Sequence, residues 1–277
     1  LGGAADVMGP GAPLAAVAWG DTVRLSAFLS VLAAMMLWEL AAPWRRAEVP
    51  RLIRWTNNLG LVALDAAVVR LVFPVLAVGA AAWAGARGLG VLNAVPLPGW
   101  AAVTIAFLAL DLTIWAQHRV FHAVPVLWRL HRMHHADPEV DATTGLRFHP
   151  AEILLSMAIK IVVVVALGAP PVAVVMFEIA LNATSIFSHA NIALPGWADR
   201  ALRRVVVTPG MHRIHHSVRR DETDSNFGFN LSVWDRLFGT FRAQAAGALV
   251  TGQPTFRSAR DQRIDRLLLQ PLRRDGG

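Results

Sequence analysis

The sequence predicts an all-α integral membrane protein with four to five transmembrane helices and a cytoplasmic, helical, histidine-rich cap. Three observations lead there: the composition, the long apolar stretches, and the placement of histidine at their ends. Of 277 residues, 55% are hydrophobic and only 16% charged, with a mean hydropathy of +0.46. That is too little charge to cover a soluble surface of this length. Cysteine is absent, which excludes disulfides, thiolate-bound metal and a cysteine nucleophile. The net charge of +7 is carried almost wholly by arginine, Lys160 being the sole lysine. These arginines flank apolar spans, where they suit anionic lipid, and no nucleic-acid partner is expected. The first twenty residues lack a basic n-region, so no cleaved signal peptide is expected.

The elements follow in order. The first span covers about 22–42 and is long enough to cross a bilayer. The second, about 59–86, contains Asp65 and Arg70, whose spacing of five is poor for helical pairing but whose charges call for protein rather than lipid surroundings. The third covers about 98–117 and contains Asp111. A fourth apolar region, 151–190, is broken by GAPP at 168–171 and reads as two antiparallel helices, 151–168 and 172–189; four crossings with one re-entrant element is the alternative. Arginines 45, 46, 51 and 54 lie between spans one and two, and 119, 129, 132 and 147 lie within 118–150. Fourteen follow residue 199, against only Arg87 between spans two and three. The positive-inside rule then sends 43–58, 118–150 and the tail to the cytoplasm. Residues 257–277 form a basic amphipathic stretch expected to rest on the membrane surface or fray.

The chain has ten histidines. His118 and His122 are four apart. His131, His134 and His135 follow a zero, three, four pattern, and His212, His215 and His216 repeat it. Such offsets put imidazoles on one helix face. His149, in RFHP, and His189, in SIFSHAN, join them at the same membrane face. Zinc takes about four ligands, so this set is too large for one such ion and fits two metal ions held mainly by imidazole. The Glu-x-x-His repeats of a carboxylate-bridged bundle are missing. All ten histidines are candidate ligands. Asp111, Asn182, Asn191 and Asp235 are candidates to hold a second ring nitrogen, with polar packing between helices as the competing reading.

These motifs carry a resemblance. HxxxH at 118–122, HxxHH at 131–135, HxxHH at 212–216, RWTNNLGL at 54–61, RFHP at 147–150, SHAN at 188–191 and DSNFGFNLSVWDRLFGTF at 224–241 resemble the fatty acid hydroxylase and sterol desaturase superfamily over about residues 50–242. The resemblance implies a membrane helix and basic loop over 1–58, a catalytic membrane domain over 59–242 and a basic tail over 243–277. It implies two Fe ions, replaceable by Zn in preparations, and O2 as co-substrate. The reaction implied is hydroxylation or desaturation of an unactivated C–H bond in a membrane lipid, such as a fatty acyl chain or a sterol. Electrons would come from a separate donor, a ferredoxin or cytochrome b5-like protein with its reductase. The setting implied is a bacterial inner membrane with the site facing the cytoplasm. The alternatives are an ether-lipid or carotenoid oxygenase, a zinc hydrolase and a metal transporter.

Overall fold

Proline and glycine set most of the helix boundaries. A computed structural model describes residues 12–273, with side chains from residue 20 onward. Most of the stretch read as lacking a signal peptide, and the last residues of the tail, lie outside the described residues. Helix α1 is Ala12–Ala41, α2 Arg51–Val72, α3 Ala77–Ala86, α4 the single turn Val91–Ala94 and α5 Gly99–Ala123. Helix α6 is Pro125–His135, α7 Pro150–Leu167 and α8 Pro171–His189. Short helices follow: α9 Gly196–Leu202, α10 Pro209–His215, α11 Arg220–Thr223, α12 Val233–Leu237 and α13 Ile264–Leu269. Proline opens α6, α7, α8 and α10, where its missing N–H and fixed φ suit the first turn. Among the described residues the only β pairing is three isolated bridges, so the fold is all-α.

Among the described residues, five stretches are long and apolar enough to cross a membrane: Gly20–Ala41, Arg51–Ala94, Gly99–Ala123, Pro150–Leu167 and Pro171–His189. The second differs from its expected bounds. Its helix starts at Arg51, so Arg51 and Arg54 belong to the first turn of α2 and not to a loop. The helix breaks at residues 73–76, around Pro74, and resumes as α3. Asp65 turns into the bundle while Arg70 stays exposed, because five residues of helix separate two side chains by about 140°.

The contacts at each end give the crossings their sense. At one end Asn58 of α2 bonds Thr143 at 3.0 Å, and Glu39 of α1 accepts from the backbone N–H groups of Ala142 and Asn191. At the other end α7 stops at Gly168, whose φ of 66° needs glycine. Gly90 packs on it so tightly that a Cβ there would lie 2.1 Å from the Gly168 nitrogen. The GAPP sequence thus makes the expected turn of an antiparallel α7–α8 hairpin. Between the two ends lies an apolar core of Ala77, Ala81, Leu110, Val164, Val174 and Phe177, with alanines on α3 allowing close helix approach. Every histidine falls at the end opposite Gly168.

Within the described residues the tail is docked on the helices. Leu267 of α13 is fully buried against Leu61 and Met133. Ile264 donates its N–H to Asn57 Oδ1 at 2.8 Å, and the guanidinium groups of Arg129 and Arg132 bond the carbonyls of Pro271 and Gln270. Residues 264–272 therefore brace α2 and α6 from outside.

Candidate metal centre

Helix α5 delivers His118 and His122 one turn apart, and both are buried. Val124–Pro125 then redirects the chain into α6, whose last turn buries His131, His134 and His135. Thr208 caps α10 by accepting from Met211 N–H, which starts a helix of seven residues carrying His212 and His215, with His216 as its C-cap. His189 ends α8.

These nine side chains form two groups. His118, His122, His131, His135 and His215 make the first; His134, His189, His212 and His216 make the second. Within each group the ligand-type atoms lie within 4.8 Å of one another. Each HxxHH box serves both groups. His131 and His135, one helical turn apart, face the first group while His134 faces the second. In α10 the assignment reverses, with His212 and His216 in the second group and His215 in the first.

The hydrogen bonds behind the rings show what the groups accept. His118 Nδ1 faces the Phe227 carbonyl at 2.8 Å, His215 Nδ1 that of Ser225 at 2.7 Å, and His189 Nδ1 that of Ser185 at 2.7 Å. A carbonyl only accepts, so Nδ1 carries the proton and Nε2 keeps its lone pair. Yet His118 and His215 point their Nε2 atoms at each other at 3.0 Å, and His189 Nε2 lies 3.1 Å from His134, 3.0 Å from His212 and 3.1 Å from His216. Where both Nδ1 atoms face carbonyls, as in the His118–His215 pair, the two Nε2 lone pairs repel at that range unless a cation is shared between them. His131 Nε2 is buried with no hydrogen-bond partner, its Nδ1 being taken by Glu152 Oε1 at 2.7 Å. Burial pushes the His131 pKa down to about 3. Burial and then the neighbouring imidazoles push His134, His135, His212, His215 and His216 well down too. Each thus stays in the neutral form that binds metal. The donor set fits two metal ions.

Aromatic rings close the surroundings. Phe148 stacks on His134 with centroids 4.6 Å apart, Trp128 lies against His122 at 4.8 Å, and Phe229 meets His118 edge-on at 5.0 Å. Below the first group a cavity of about 330 Å³ runs among α1, α2, α5, α7 and α8; His118 and His131 line it together with Val62, Ile114, Met157 and Leu181.

His149 lies outside both groups. Its Nδ1 accepts from the Ala151 N–H and its Nε2 faces the Leu268 carbonyl, so it caps α7 and meets the tail. Three of the four polar candidates hold the frame behind the rings. Asp235 accepts from the N–H groups of Phe227 and Gly228, from Trp115 Nε1 and from the Thr240 hydroxyl. It shapes the loop whose Phe227 carbonyl orients His118. Asp111 takes the Leu231 N–H and Trp234 Nε1. Asn191 clips Arg45 through both its N–H and its carbonyl. Asn182 lines the cavity.

Sequence reasoning missed Glu152 behind His131 and Asp224, whose Oδ1 is 3.2 Å from His122 Nδ1. Glu152 had a signal, being a carboxylate in the first turn of an apolar span. Asp224 had none before the chain was folded. Under the loop after α6 lies a buried ionic frame. Arg54 meets Asp137 at 3.2 Å and also bonds Asp141, and Arg147 meets Asp137 at 3.6 Å. Burial alone would push Asp137 up, but the two guanidinium groups outweigh it and hold its pKa at about 2.

Among known proteins, the family profile described as Fatty acid hydroxylase matches residues 103–240. The ornithine lipid hydroxylase OlsE of Rhizobium tropici is 29% identical over 130 residues, which is 47% of this chain and 34% of the relative. The alkylglycerol monooxygenase of Homo sapiens is 30% identical over 146 residues, 50% of this chain and 30% of the relative. That of Danio rerio is 30% identical over 148 residues, 51% and 30%. The chain thus spans about a third of the length of the curated relatives it matches. No solved structure matches it significantly. With its HxxxH and paired HxxHH boxes folded into two histidine groups at one end of five apolar helices, the chain belongs to the fatty acid hydroxylase family of membrane di-iron oxygenases.

Proposed function

We propose that this protein inserts oxygen into a C–H bond of a membrane lipid bearing an alkyl chain, and that a glycerol ether lipid is a better candidate than a fatty acyl chain or a sterol. The observation that carries the proposal is the apolar cavity ending at His118 and His131. The names of the relatives, one a lipid hydroxylase and two alkylglycerol monooxygenases, favour hydroxylation over desaturation and support the ether-lipid reading.

The nine histidines of the two groups would hold the two irons. Bound iron supplies the redox chemistry that an alkyl C–H bond, having no acid–base handle, requires. The chain does the rest. Val62, Ile114, Met157 and Leu181 hold the alkyl chain, and Phe148, Phe229 and Trp128 keep water from the rings. Glu152 and the Phe227, Ser225 and Ser185 carbonyls fix which imidazole nitrogen faces inward. Arginine density puts the histidine end at the cytoplasm, where a separate ferredoxin-like or cytochrome b5-like donor supplies electrons. The setting that fits is the inner membrane of a bacterium.

The product distinguishes the substrates. A hydroxyl placed on the carbon bonded to an ether oxygen gives a hemiacetal, which breaks to an aldehyde and an alcohol. A hydroxyl placed elsewhere on a chain is a stable alcohol. The test compares lipid extracts from cells making the iron-loaded wild type with cells making His134→Ala, with electrons and O2 supplied. Fatty aldehyde and free glycerol from an added alkylglycerol, present with the wild type and lost in the variant, are expected. Identical extracts would sink the oxygenase reading.

A further inference from the structure

Three oxygens in the cavity lack any partner. Asp65 Oδ1 on α2, Gln117 Oε1 on α5 and Glu152 Oε2 on α7 are buried and accept no hydrogen bond, and all three residues line the cavity that ends at His118 and His131. Their other atoms are largely engaged: Gln117 Nε2 bonds Ser156 Oγ at 2.6 Å, and Glu152 Oε1 holds His131. Asp65 is 7% and Glu152 3% exposed. A buried acceptor without a partner is costly, and three from three different helices around one cavity make a site short of donors. The cationic side chain in the same wall, Lys160, pairs with Glu178, which also pairs with Arg24.

We infer that Asp65, Gln117 and Glu152 form a polar subsite beside the first histidine group that binds the donor-bearing part of the lipid, its hydroxyl or ammonium groups. This rests on the lipid-oxygenase reading above and specifies the substrate further. Gln117 precedes His118 in the chain and Glu152 touches His131, so the subsite adjoins the histidines while the apolar wall holds the chain. The carbon attacked then lies within a few bonds of the lipid's polar group, not in mid-chain. Two carboxyl groups also disfavour a lipid whose head is a free carboxylate or phosphate.

Competition binding tests this, using the full wild-type chain in lipid nanodiscs and a radiolabelled 1-O-alkylglycerol. Three competitors share one alkyl length: the alkylglycerol with both hydroxyls free, its di-O-methyl ether, and the alkylammonium. The free diol or the ammonium should bind about tenfold or more tighter than the dimethyl ether, and whichever is tighter names the donor. Asp65→Leu should shrink that ratio about tenfold, and Gln117→Met, which leaves the carboxyl groups intact, should shrink it by a smaller factor. Equal affinities of all three lipids for the wild type would mean that water alone serves these acceptors, and would overturn the inference. So would a ratio unchanged in both variants. Turnover of the same lipids separates the two claims. A wild type that prefers the diol but, iron-loaded and supplied with electrons, oxidises no lipid keeps the subsite and loses the oxygenase reading. One that oxidises diol and dimethyl ether with equal affinity does the reverse.

Discussion

Behind each of His118, His131, His189 and His215 stands one atom that decides which nitrogen faces inward. For His131 that atom is Glu152 Oε1, at 2.7 Å. A carboxylate accepting from Nδ1 fixes the tautomer and raises the basicity of Nε2, and such partners are typically worth 10- to 100-fold in metal affinity. Glu152→Leu should therefore weaken metal binding at the first group by about that factor, while Glu152→Gln, which keeps an acceptor oxygen, loses less. Metal content during chelator titration reads this directly, and equal retention in wild type and Glu152→Leu would show that His131 needs no such support. The histidines were legible because HxxHH spacing alone puts three rings on a short helix. Glu152 was signalled only by its place in an apolar span and Asp224 not at all, since their contacts join residues 21 and 102 positions apart. His149 lies apart from the two groups although RFHP is near the boxes in sequence, because its ring turns back to cap α7.

Helices, in turn, act here as distributors. A zero, three, four pattern spreads its rings over an arc of α6, so one box supplies two groups, and α10 does the same with its roles reversed. Spacing revealed the ligand-type residues but not this crossed arrangement, which depends on how α6 and α10 face each other. The closing segment is held by Asp235 through two backbone N–H groups, an indole and a hydroxyl. Hydrogen bonds to a charged group are worth about 1.5–3 kcal/mol each, and stranded donors add to the loss. Asp235→Ala should destabilise the fold by about 3 kcal/mol or more, seen as a lower thermal midpoint, and should loosen the Phe227 carbonyl behind His118. Asp235→Asn should recover part of the midpoint. A full-strength midpoint in Asp235→Ala would show the segment to be held by packing alone. Helix α13 carries a similar burden through Leu267, and truncation to alanine should cost about 2–5 kcal/mol by the same measurement. Its docking was illegible because RIDRLLLQPL reads as an amphipathic surface helix, and only the fold shows that Leu267 meets Leu61 and Met133 while Leu269 and Leu272 stay exposed.

Across the whole molecule, the two groups tie α5, α6, α8 and α10 together, so metal and fold are linked. The five helices apolar enough to cross and the shared histidine end were legible from hydropathy and arginine placement, and the bend near Pro74 had its signal in the proline itself, whereas the cavity beneath His118 arises from packing. A metal that binds only the folded chain stabilises it by about 4 kcal/mol when present at a thousandfold its dissociation constant, and chelation should lower the thermal midpoint accordingly. The metal-free protein should then show a particular pH dependence. His131, pushed by burial from 6.5 to about 3, stays neutral when folded but takes up a proton when unfolded. Its neighbours in α6 and α10 shift the same way. Stability falls with falling pH wherever the unfolded chain binds more protons. It should thus be greatest above pH 6.5 and drop progressively toward about 3. Chelated protein scanned at about pH 7.5 and about pH 5 should melt lower at the acid end, and His131→Gln, which removes one such group, should narrow the gap. If the metal-free midpoint were the same at both values, the imidazoles would not be buried and neutral, and the converging lone pairs that make this a metal centre would have no basis.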